Sequence, residues 1–385
     1  MKILFAKGNS QYGSLRENAD EIINYLQKQG HNIVVIDRKI EGVWENVPNV
    51  LDDTFDMVLS LQVLAYKIKV LMDASGKQIK GLKYISICGD HPIYINYWLK
   101  QMQGYPDAYL ILSDKNQEDY VKKYYNWINT ILLKTTTGKG CGGKKYSERK
   151  IDIFFGGTYY NQKEIMQTIN KLQAHDKDYA LEMIHTILQN EGMPLEDALK
   201  IELKKHGKEL SENEFIDYLE TFIPVDRYIR AHYRNEYIEA ACRSTGTVFI
   251  YGNDWEKSQF TEYPNCKICS NDVTLKKGFK YMADSKIIIN IMPWSRIGFH
   301  DRIVNIIKAG AICLTNTNQV IDNVFENGKE YLGFGLNEKD KITQKINWIL
   351  EHPYDAAILA EKGNKKGNEY FTIENYCNTI LNAIN

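Results

Sequence analysis

Short apolar runs separated by amphipathic stretches recur through the first third of the chain. Each run is continuously apolar, which is typical of strands in a parallel sheet that is covered on both faces. Five such runs lie at residues 3–6, 32–36, 57–61, 84–88 and 109–112. The stretch after the first run has apolar residues at a helical spacing and is closed by Gly30. The pattern therefore predicts an α/β, Rossmann-like domain over residues 1–134.

A second region of the same kind begins after a Gly- and Lys-rich stretch at residues 135–150, which we interpret as an interdomain linker. Apolar strands are predicted at residues 151–155 and 248–251, and residues 161–242 have an almost wholly helical pattern. We therefore predict a second Rossmann-like domain over residues 151–365 with an expanded helical block. A chain of 385 residues is long enough for two such domains, which we expect to face a cleft.

The stretch around which the second domain is organised covers residues 281–316. An isoleucine-rich strand is predicted at residues 286–292, followed by a polar loop, a helix at residues 300–309 and another strand. Backbone amides at the start of a helix that follows a strand favour a phosphate or another anion. His300 and Arg302 lie in the first turn of this helix, where a cation opposes the helix dipole unless an anion is bound. These two side chains are therefore candidate anion ligands.

Composition narrows the possible functions. The formal net charge of −1 gives no electrostatic reason to expect a nucleic acid or an anionic membrane as the main partner. The apolar N-terminus is short enough to be a first strand, and no apolar run is long enough to span a membrane. Seven cysteines, two of them in predicted core strands, indicate a reduced, cytoplasmic chain. The single Cys266-x-x-Cys269 pair falls short of a four-ligand metal site, so no metal is predicted.

Polar and glycine residues follow several predicted strands, at the edge where ligands of parallel sheets bind. In the first domain Asp90 and His91 follow one strand and are candidate general bases, although Asp90 could instead cap a helix that begins near Pro92. The tripeptide Gly8-Asn9-Ser10 follows another strand on what we expect to be the acceptor side. In the second domain the residues at strand ends are Gly156, Gly157, Thr158 and Asn290. Asn290 could contact a ligand or bond to a neighbouring loop.

The central stretch resembles the donor-site segment of GT-B glycosyltransferases, and within them the branch named for the spore maturation protein CgeB. The resemblance is carried by Gly298-Phe299-His300-Asp301-Arg302, Asn305, Lys308-Ala309-Gly310-Ala311 and Leu314-Thr315. It implies a GT-B fold in which residues 366–385 form a helix that crosses back to the N-terminal domain. It also implies that Gly252, Asn253 and Lys257 lie near the donor, together with Gly298, Phe299, His300, Arg302 and Asn305.

The expected function is transfer of a sugar from a nucleotide-sugar donor to an acceptor hydroxyl. Backbone amides at residues 298–300 and Arg302 would stabilise the leaving diphosphate without an obligatory metal or another cofactor. Retention of the anomeric configuration is implied only by likeness to enzymes with two glutamates in this segment. Ile297 and Asn305 stand at those positions here. Two alternatives follow, an inactive GT-B scaffold in cell-surface or spore assembly and a nucleotide-sugar epimerase.

Overall fold

The chain folds into two compact units, each built around its own sheet. The structure is a computed structural model and describes residues 1–133 and 141–384. The first unit contains the described residues of Met1–Lys139 together with Ile297–Asp301 and the C-terminal segment from Phe371. The second unit contains the described residues of Gly140–Arg296 and Arg302–Tyr370. The segment Ile297–Asp301, which the sequence analysis placed within the second domain, thus lies in the first unit.

Twelve strands and sixteen α-helices alternate along the described residues. The strands are β1 (Lys2–Lys7), β2 (Asn32–Asp37), β3 (Met57–Leu61), β4 (Lys83–Ile87), β5 (Ala108–Leu112), β6 (Asn129–Leu132), β7 (Ile151–Gly156), β8 (Val248–Tyr251), β9 (Cys266–Cys269), β10 (Ser285–Asn290), β11 (Ile312–Asn316) and β12 (Leu332–Phe334). The helices are α1 (Ser14–Lys28), α2 (Val47–Val50), α3 (Leu64–Ala74), α4 (Asn96–Gln101), α5 (Lys115–Tyr124), α6 (Gln162–Ile169), α7 (Ala174–Gln189), α8 (Leu195–Lys205), α9 (Glu212–Glu220), α10 (Ile223–Cys242), α11 (Leu275–Ala283), α12 (Asp301–Lys308), α13 (Gln319–Val324), α14 (Lys339–Glu351), α15 (Pro353–Tyr370) and α16 (Ile373–Ile384).

Both sheets have six parallel strands, as the continuous apolar runs predict. The strand order is β2-β1-β3-β4-β5-β6 in the first unit and β12-β11-β10-β7-β8-β9 in the second. Central strands such as β3 are buried along their whole length, because helices cover both faces of the sheet. The predicted fold class, α/β with two parallel sheets, is confirmed. None of the helices in the described ranges combines the length and apolar content that crossing a bilayer requires.

Three short strands at the sheet edges were missing from the sequence prediction. They are β6, β9 and β12, with four, four and three residues, and each lies at an edge of its sheet. Their sequences, NTIL, CKIC and LGF, each contain polar residues or a glycine, so they lack the continuous apolar run that marks the other strands. The CxxC pair forms the two ends of β9, where side chains three residues apart point to opposite faces of the strand. This geometry argues against joint metal binding by the pair.

The helical block between β7 and β8 is present as five helices, α6 to α10. A capping box joins Ser211 and Glu214 at the start of α9, as the sequence indicates. Helix α15 continues through Gly363 and Gly367, although glycines in a sequence commonly mark the end of a helix. A Cβ atom at Gly363 would lie 2.2 Å from the Glu330 carbonyl oxygen, so this glycine permits close packing rather than ending the helix.

Part of the predicted linker packs against the second unit, while residues 134–140 lie outside the described residues. Its structure from Cys141 onward is fixed largely by Arg149, whose side chain is only 5% exposed. The Arg149 guanidinium donates to the carbonyl oxygens of Lys144 at 3.1 Å, Ser285 at 2.6 Å and Ala309 at 2.7 Å. One side chain therefore joins the start of β7, the start of β10 and the end of α12.

We expect Arg149→Lys to lower the free energy of unfolding by about 1–2 kcal/mol, because an ammonium group cannot serve three carbonyls spaced for a guanidinium and buried acceptors lose their donors. Chemical denaturation monitored by tryptophan fluorescence would measure the change. Arg243 is an exposed arginine that pairs with Glu239, so Arg243→Lys is the matched control and should be near neutral. Equal stability of the two variants would contradict a role for Arg149 in packing.

Candidate functional site

The strand order of the second unit places a ligand-binding edge between β7 and β10. The chain leaves β7 toward β8 and β9 on one side, then returns through β10 toward β11 and β12 on the other. Loops diverge at such a switch point and leave a crevice beyond the carboxyl ends of the strands. The residues that follow β7 and β10 are therefore the ones that a ligand of this unit would meet.

Arg302 lies at this switch point. Its guanidinium contacts the Asn290 carboxamide oxygen, with 3.4 Å between Nη1 and Oδ1. A Cβ atom built on Gly157 would lie 3.8 Å from the other terminal nitrogen of Arg302. Asn290 is fully buried and donates to the Thr315 hydroxyl of the neighbouring strand β11 at 3.0 Å. The predicted residues Gly157, Asn290 and Arg302 are thus brought together.

Glycines allow the loops after β7 and β8 to approach each other closely. A Cβ atom on Gly252 would lie 1.8 Å from the Gly157 carbonyl oxygen, which no side chain could tolerate. The same oxygen accepts a hydrogen bond from the Trp255 indole at 2.6 Å. The Tyr159 amide donates to the Asn253 carbonyl oxygen at 3.0 Å. Gly252 and Asn253 therefore shape the wall beside Arg302 through their backbones.

Two arginines of α10 adjoin this edge and were missed by the sequence analysis. Arg234 is 6% exposed and donates to the Thr158 carbonyl oxygen, with its guanidinium carbon 4.9 Å from the Tyr160 ring centroid. The guanidinium carbon of Arg230 lies 4.2 Å from the ring centroid of Trp294, in the loop after β10. The basic face of α10 could have been found from the spacing of Arg230 and Arg234, one helical turn apart.

Three other predicted donor-side residues have different surroundings. Lys257 is largely exposed and pairs with Asp254. Asn305 is only 4% exposed and lies one turn after Arg302 on α12. Gly156 ends β7, where an added Cβ atom would lie 3.2 Å from the Phe154 ring.

The segment before α12 is bonded into the first unit. Gly298 forms an antiparallel bridge with Asp114, and a Cβ atom on Gly298 would lie 2.2 Å from the Ser113 carbonyl oxygen. Phe299 is 2% exposed and packs edge-on against Phe371, with 5.3 Å between the ring centroids. His300 Nδ1 lies 3.0 Å from a carboxylate oxygen of Asp301. Structural contacts therefore account for the glycine at 298 and the phenylalanine at 299.

Gly298→Ala should lower the free energy of unfolding by about 1–3 kcal/mol, because the new methyl group would overlap backbone atoms that cannot rotate away. Thermal or chemical unfolding would measure the loss. Gly89→Ala serves as its control, since nothing lies within 4 Å of a Cβ atom there. An unchanged unfolding midpoint for Gly298→Ala would show that the segment relaxes freely and that the close approach has no energetic importance.

In the first unit, Arg16 fixes the loop Gly8-Asn9-Ser10 after β1. Its guanidinium donates to the Gly8 carbonyl oxygen at 3.2 Å and to both oxygens of Asp37 at 2.9 and 2.5 Å. These bonds from Arg16 lower the pKa of Asp37 to about 2. The Ser10 hydroxyl accepts from the Leu15 amide at 2.9 Å. The predicted acceptor-side loop is consequently rigid and bound to the start of α1.

Asp90 and His91 follow β4 and have distinct roles in the local structure. The Asp90 carboxylate is exposed and accepts a hydrogen bond from Gln62 Nε2 at 3.2 Å. His91 Nδ1 accepts from the Ile93 amide at 3.2 Å and caps the 3₁₀ turn Pro92–Ile95. The helix cap considered for Asp90 is thus provided by His91. The His91 ring therefore has a structural role at the start of this turn.

Strained backbone angles occur at the carboxyl edges of both sheets. Among the described residues other than glycine, four have left-handed backbone angles, namely Tyr12, Gln62, Asp254 and Asp272. They follow β1, β3, β8 and β9, in each case within five residues of the carboxyl end of the strand. Such angles cost about 1–3 kcal/mol each and recur at functional sites. Their location supports a ligand-binding role for both edges.

Residues 230–382 match a family model described as glycosyl transferase-like. This match covers the end of the helical block and nearly all of the second unit that follows it. No match was found among curated proteins.

Several solved structures with low sequence identity share the fold of this chain. Alr3699/HepE of Anabaena, solved with UDP and glucose, has a TM-score of 0.58 at 10% identity over 100% of this chain and 99% of its own. Sucrose-phosphate synthase of Thermosynechococcus elongatus has a TM-score of 0.60 at 9% identity over 99% and 97%. A glycosyltransferase of Rickettsia africae has a TM-score of 0.52 at 12% identity over 100% and 97%. The two parallel sheets and their helices are therefore those of the GT-B fold.

Proposed function

We propose that the protein is a glycosyltransferase that transfers a sugar from a nucleotide-sugar donor to an acceptor hydroxyl. The observation that carries the proposal is the position of Arg302, beside the Gly157 backbone and Asn290 at the switch point of the second sheet. The glycosyl transferase-like match over residues 230–382 and the UDP-bound structures of the same fold support this reaction class.

The donor diphosphate is assigned to the second unit. A guanidinium forms paired, charge-assisted hydrogen bonds with phosphate oxygens, and Arg302 is near the positive end of α12. The negative charge of a diphosphate would balance the positive charges of Arg302 and of the α12 N-terminus, both when the donor binds and when the diphosphate leaves. Arg234 adds positive charge along the neighbouring helix, whereas the charge of Arg230 is balanced by Asp226.

Catalysis is assigned to these cations without an obligatory metal ion. As the bond between sugar and diphosphate breaks, negative charge grows on the leaving oxygen, and a fixed guanidinium stabilises this charge. Asp90 is the proposed general base, because an exposed carboxylate held by Gln62 can accept the proton of an acceptor hydroxyl. We also propose retention of the anomeric configuration, which NMR of the first-formed product would test.

An inactive scaffold is a second candidate, and one observation favours it. Ile297 stands where many relatives of this type have a glutamate, and its backbone is used structurally. Its amide donates to Asp114 Oδ2 at 3.0 Å, while its carbonyl oxygen accepts from the Lys115 amide at 3.0 Å. Because the backbone of Ile297 has this structural role, the segment could be retained in a protein that has no catalytic activity.

A thermal-shift screen of nucleoside diphosphates followed by a hydrolysis assay would test the proposal. Ligand at 100 times its Kd should stabilise the protein by about 2.7 kcal/mol, and slow release of free sugar from one nucleotide sugar should accompany it. A binding signal without sugar release or transfer would favour the scaffold. A changed sugar still attached to its nucleotide would indicate an epimerase. The absence of any diphosphate binding would contradict the assigned donor site.

A further inference from the structure

Most cations at the carboxyl edge of the first sheet have a carboxylate partner. Lys7 pairs with Asp20, and Arg16 with Asp37. On α3, which begins just after β3, Lys69 pairs with Asp73. These pairs neutralise the positive charge locally.

Lys67 is different, although it lies on the same helix. Its ammonium group is 4.8 Å from the ring centroid of Trp98, and within residues 1–133 and 141–384 it has no hydrogen-bond acceptor. The side chain is half-buried, and burial lowers the pKa of Lys67, with the nearby Arg38 guanidinium lowering it further. Among the described residues, no carboxylate forms an ion pair with either of these two neighbouring cations. Repulsion between the two cations raises the free energy of the empty site, and a bound anion would offset this repulsion.

Two aromatic rings lie on the Lys67 side of this region. The Tyr97 ring meets the Trp98 ring edge-on, with 4.9 Å between centroids, and Tyr97 is 60% exposed. Both residues lie in the first turn of α4, which follows the 3₁₀ turn after Asp90. Exposed ring faces beside fixed polar groups suit a ligand with one apolar face and one charged group.

We infer that Lys67, Arg38, Trp98 and Tyr97 form an acceptor subsite for a sugar that carries an anionic group, either a phosphate or a carboxylate. The cations would bind the anion and the rings would pack against the sugar. This inference depends on the proposed glycosyl transfer for its meaning, since it names the class of acceptor. The anion-binding property itself can be measured independently of any transfer.

Isothermal titration of the full-length protein with glucose 6-phosphate, glucuronate, inorganic phosphate and glucose would test the inference. We expect glucose 6-phosphate or glucuronate to bind at least about tenfold more tightly than glucose, and the comparison of the two identifies the preferred anion. Lys67→Gln should remove most of this preference, and Arg38→Gln, at an exposed position, should weaken it about threefold. Lys69→Gln is the matched control and should leave it unchanged.

The same titrations are repeated with the Arg302→Ala variant, in which phosphate binding at the donor site should be weakened. The effect of Lys67→Gln should persist in this background, which excludes the donor site as the source of the signal. A nucleoside diphosphate titration separates the two proposals. Anion binding that depends on Lys67, without diphosphate binding, would leave this subsite standing while the proposed function fails. Equal affinity for glucose and the anionic sugars, no measurable binding of any probe, or an equal loss in Lys69→Gln would overturn the subsite.

Discussion

Replacing Asp90 by asparagine is expected to lower turnover by about 10²- to 10⁴-fold, the range that a positioned general base contributes. Asparagine has nearly the same shape, and its carbonyl oxygen can still accept the hydrogen bond from Gln62. Geometry should therefore be retained while the ability to accept a proton is lost. Nucleoside diphosphate affinity should be unchanged, because Asp90 belongs to the first unit. Steady-state kinetics together with a diphosphate titration would measure both quantities.

Three further variants serve as controls for this result. Asp53→Asn alters an exposed carboxylate with no role in the proposed site and should leave turnover unchanged. His91→Ala removes the cap of the 3₁₀ turn and should cost stability of about 0.5–2 kcal/mol. His91→Asn should recover much of this stability, because asparagine is a good capping residue. Full turnover in Asp90→Asn would exclude Asp90 as the base.

Arg302→Ala is expected to weaken nucleoside diphosphate binding by about tenfold or more, since charge-assisted hydrogen bonds contribute roughly 1.5–3 kcal/mol each. Affinity for the unphosphorylated nucleoside should hardly change. Arg302→Lys should recover only part of the loss, because a point charge lacks the paired geometry of the guanidinium. In the free protein the change should be near neutral for stability or slightly favourable, since a cation in the first turn opposes the dipole of α12. Titration calorimetry and thermal unfolding would measure these effects.

Arg227 on α10 is exposed and provides the matched control for loss of a positive charge in the same unit. Its replacement by alanine should alter diphosphate affinity only through long-range electrostatics, which salt screens. A different outcome would refute the assigned donor site. If Arg302→Ala leaves diphosphate affinity intact but lowers the melting temperature by several degrees, the contact with Asn290 is structural.

The central strands could be predicted from the sequence because burial on both faces requires an unbroken apolar run, as in Met57–Leu61. The short strands β6, β9 and β12 could not, because a polar residue or glycine interrupts each of them, as Lys267 does in Cys266–Cys269. Gly363 also resembled a helix stop, since only the structure shows the Glu330 backbone that packs against it. The sequence of a segment thus predicts its local secondary structure, whereas close packing between distant segments can be seen only in the tertiary structure.

The same distinction applies to the candidate site. Gly157, Asn290 and Arg302 were predictable because strand ends and helix starts can be located in the sequence, and topology brings neighbouring ends together. Arg234 was not, because it lies in the middle of a long helix and reaches Thr158 only in the folded chain. Gly298 was assigned to the donor site, and the sequence could not show that its backbone lies against the Ser113 carbonyl oxygen.

The position of helix α16 affects the order in which the first unit can fold during synthesis. Tyr376, Cys377, Ile380 and Ile384 are buried in the same core cluster as Ile3 and Phe5. The ribosome therefore releases every strand of the first sheet well before the residues that cover this part of its core. At ~5–20 residues per second, the wait is on the order of ten to fifty seconds. During synthesis the nascent first unit therefore presents an uncovered apolar face until α16 has emerged.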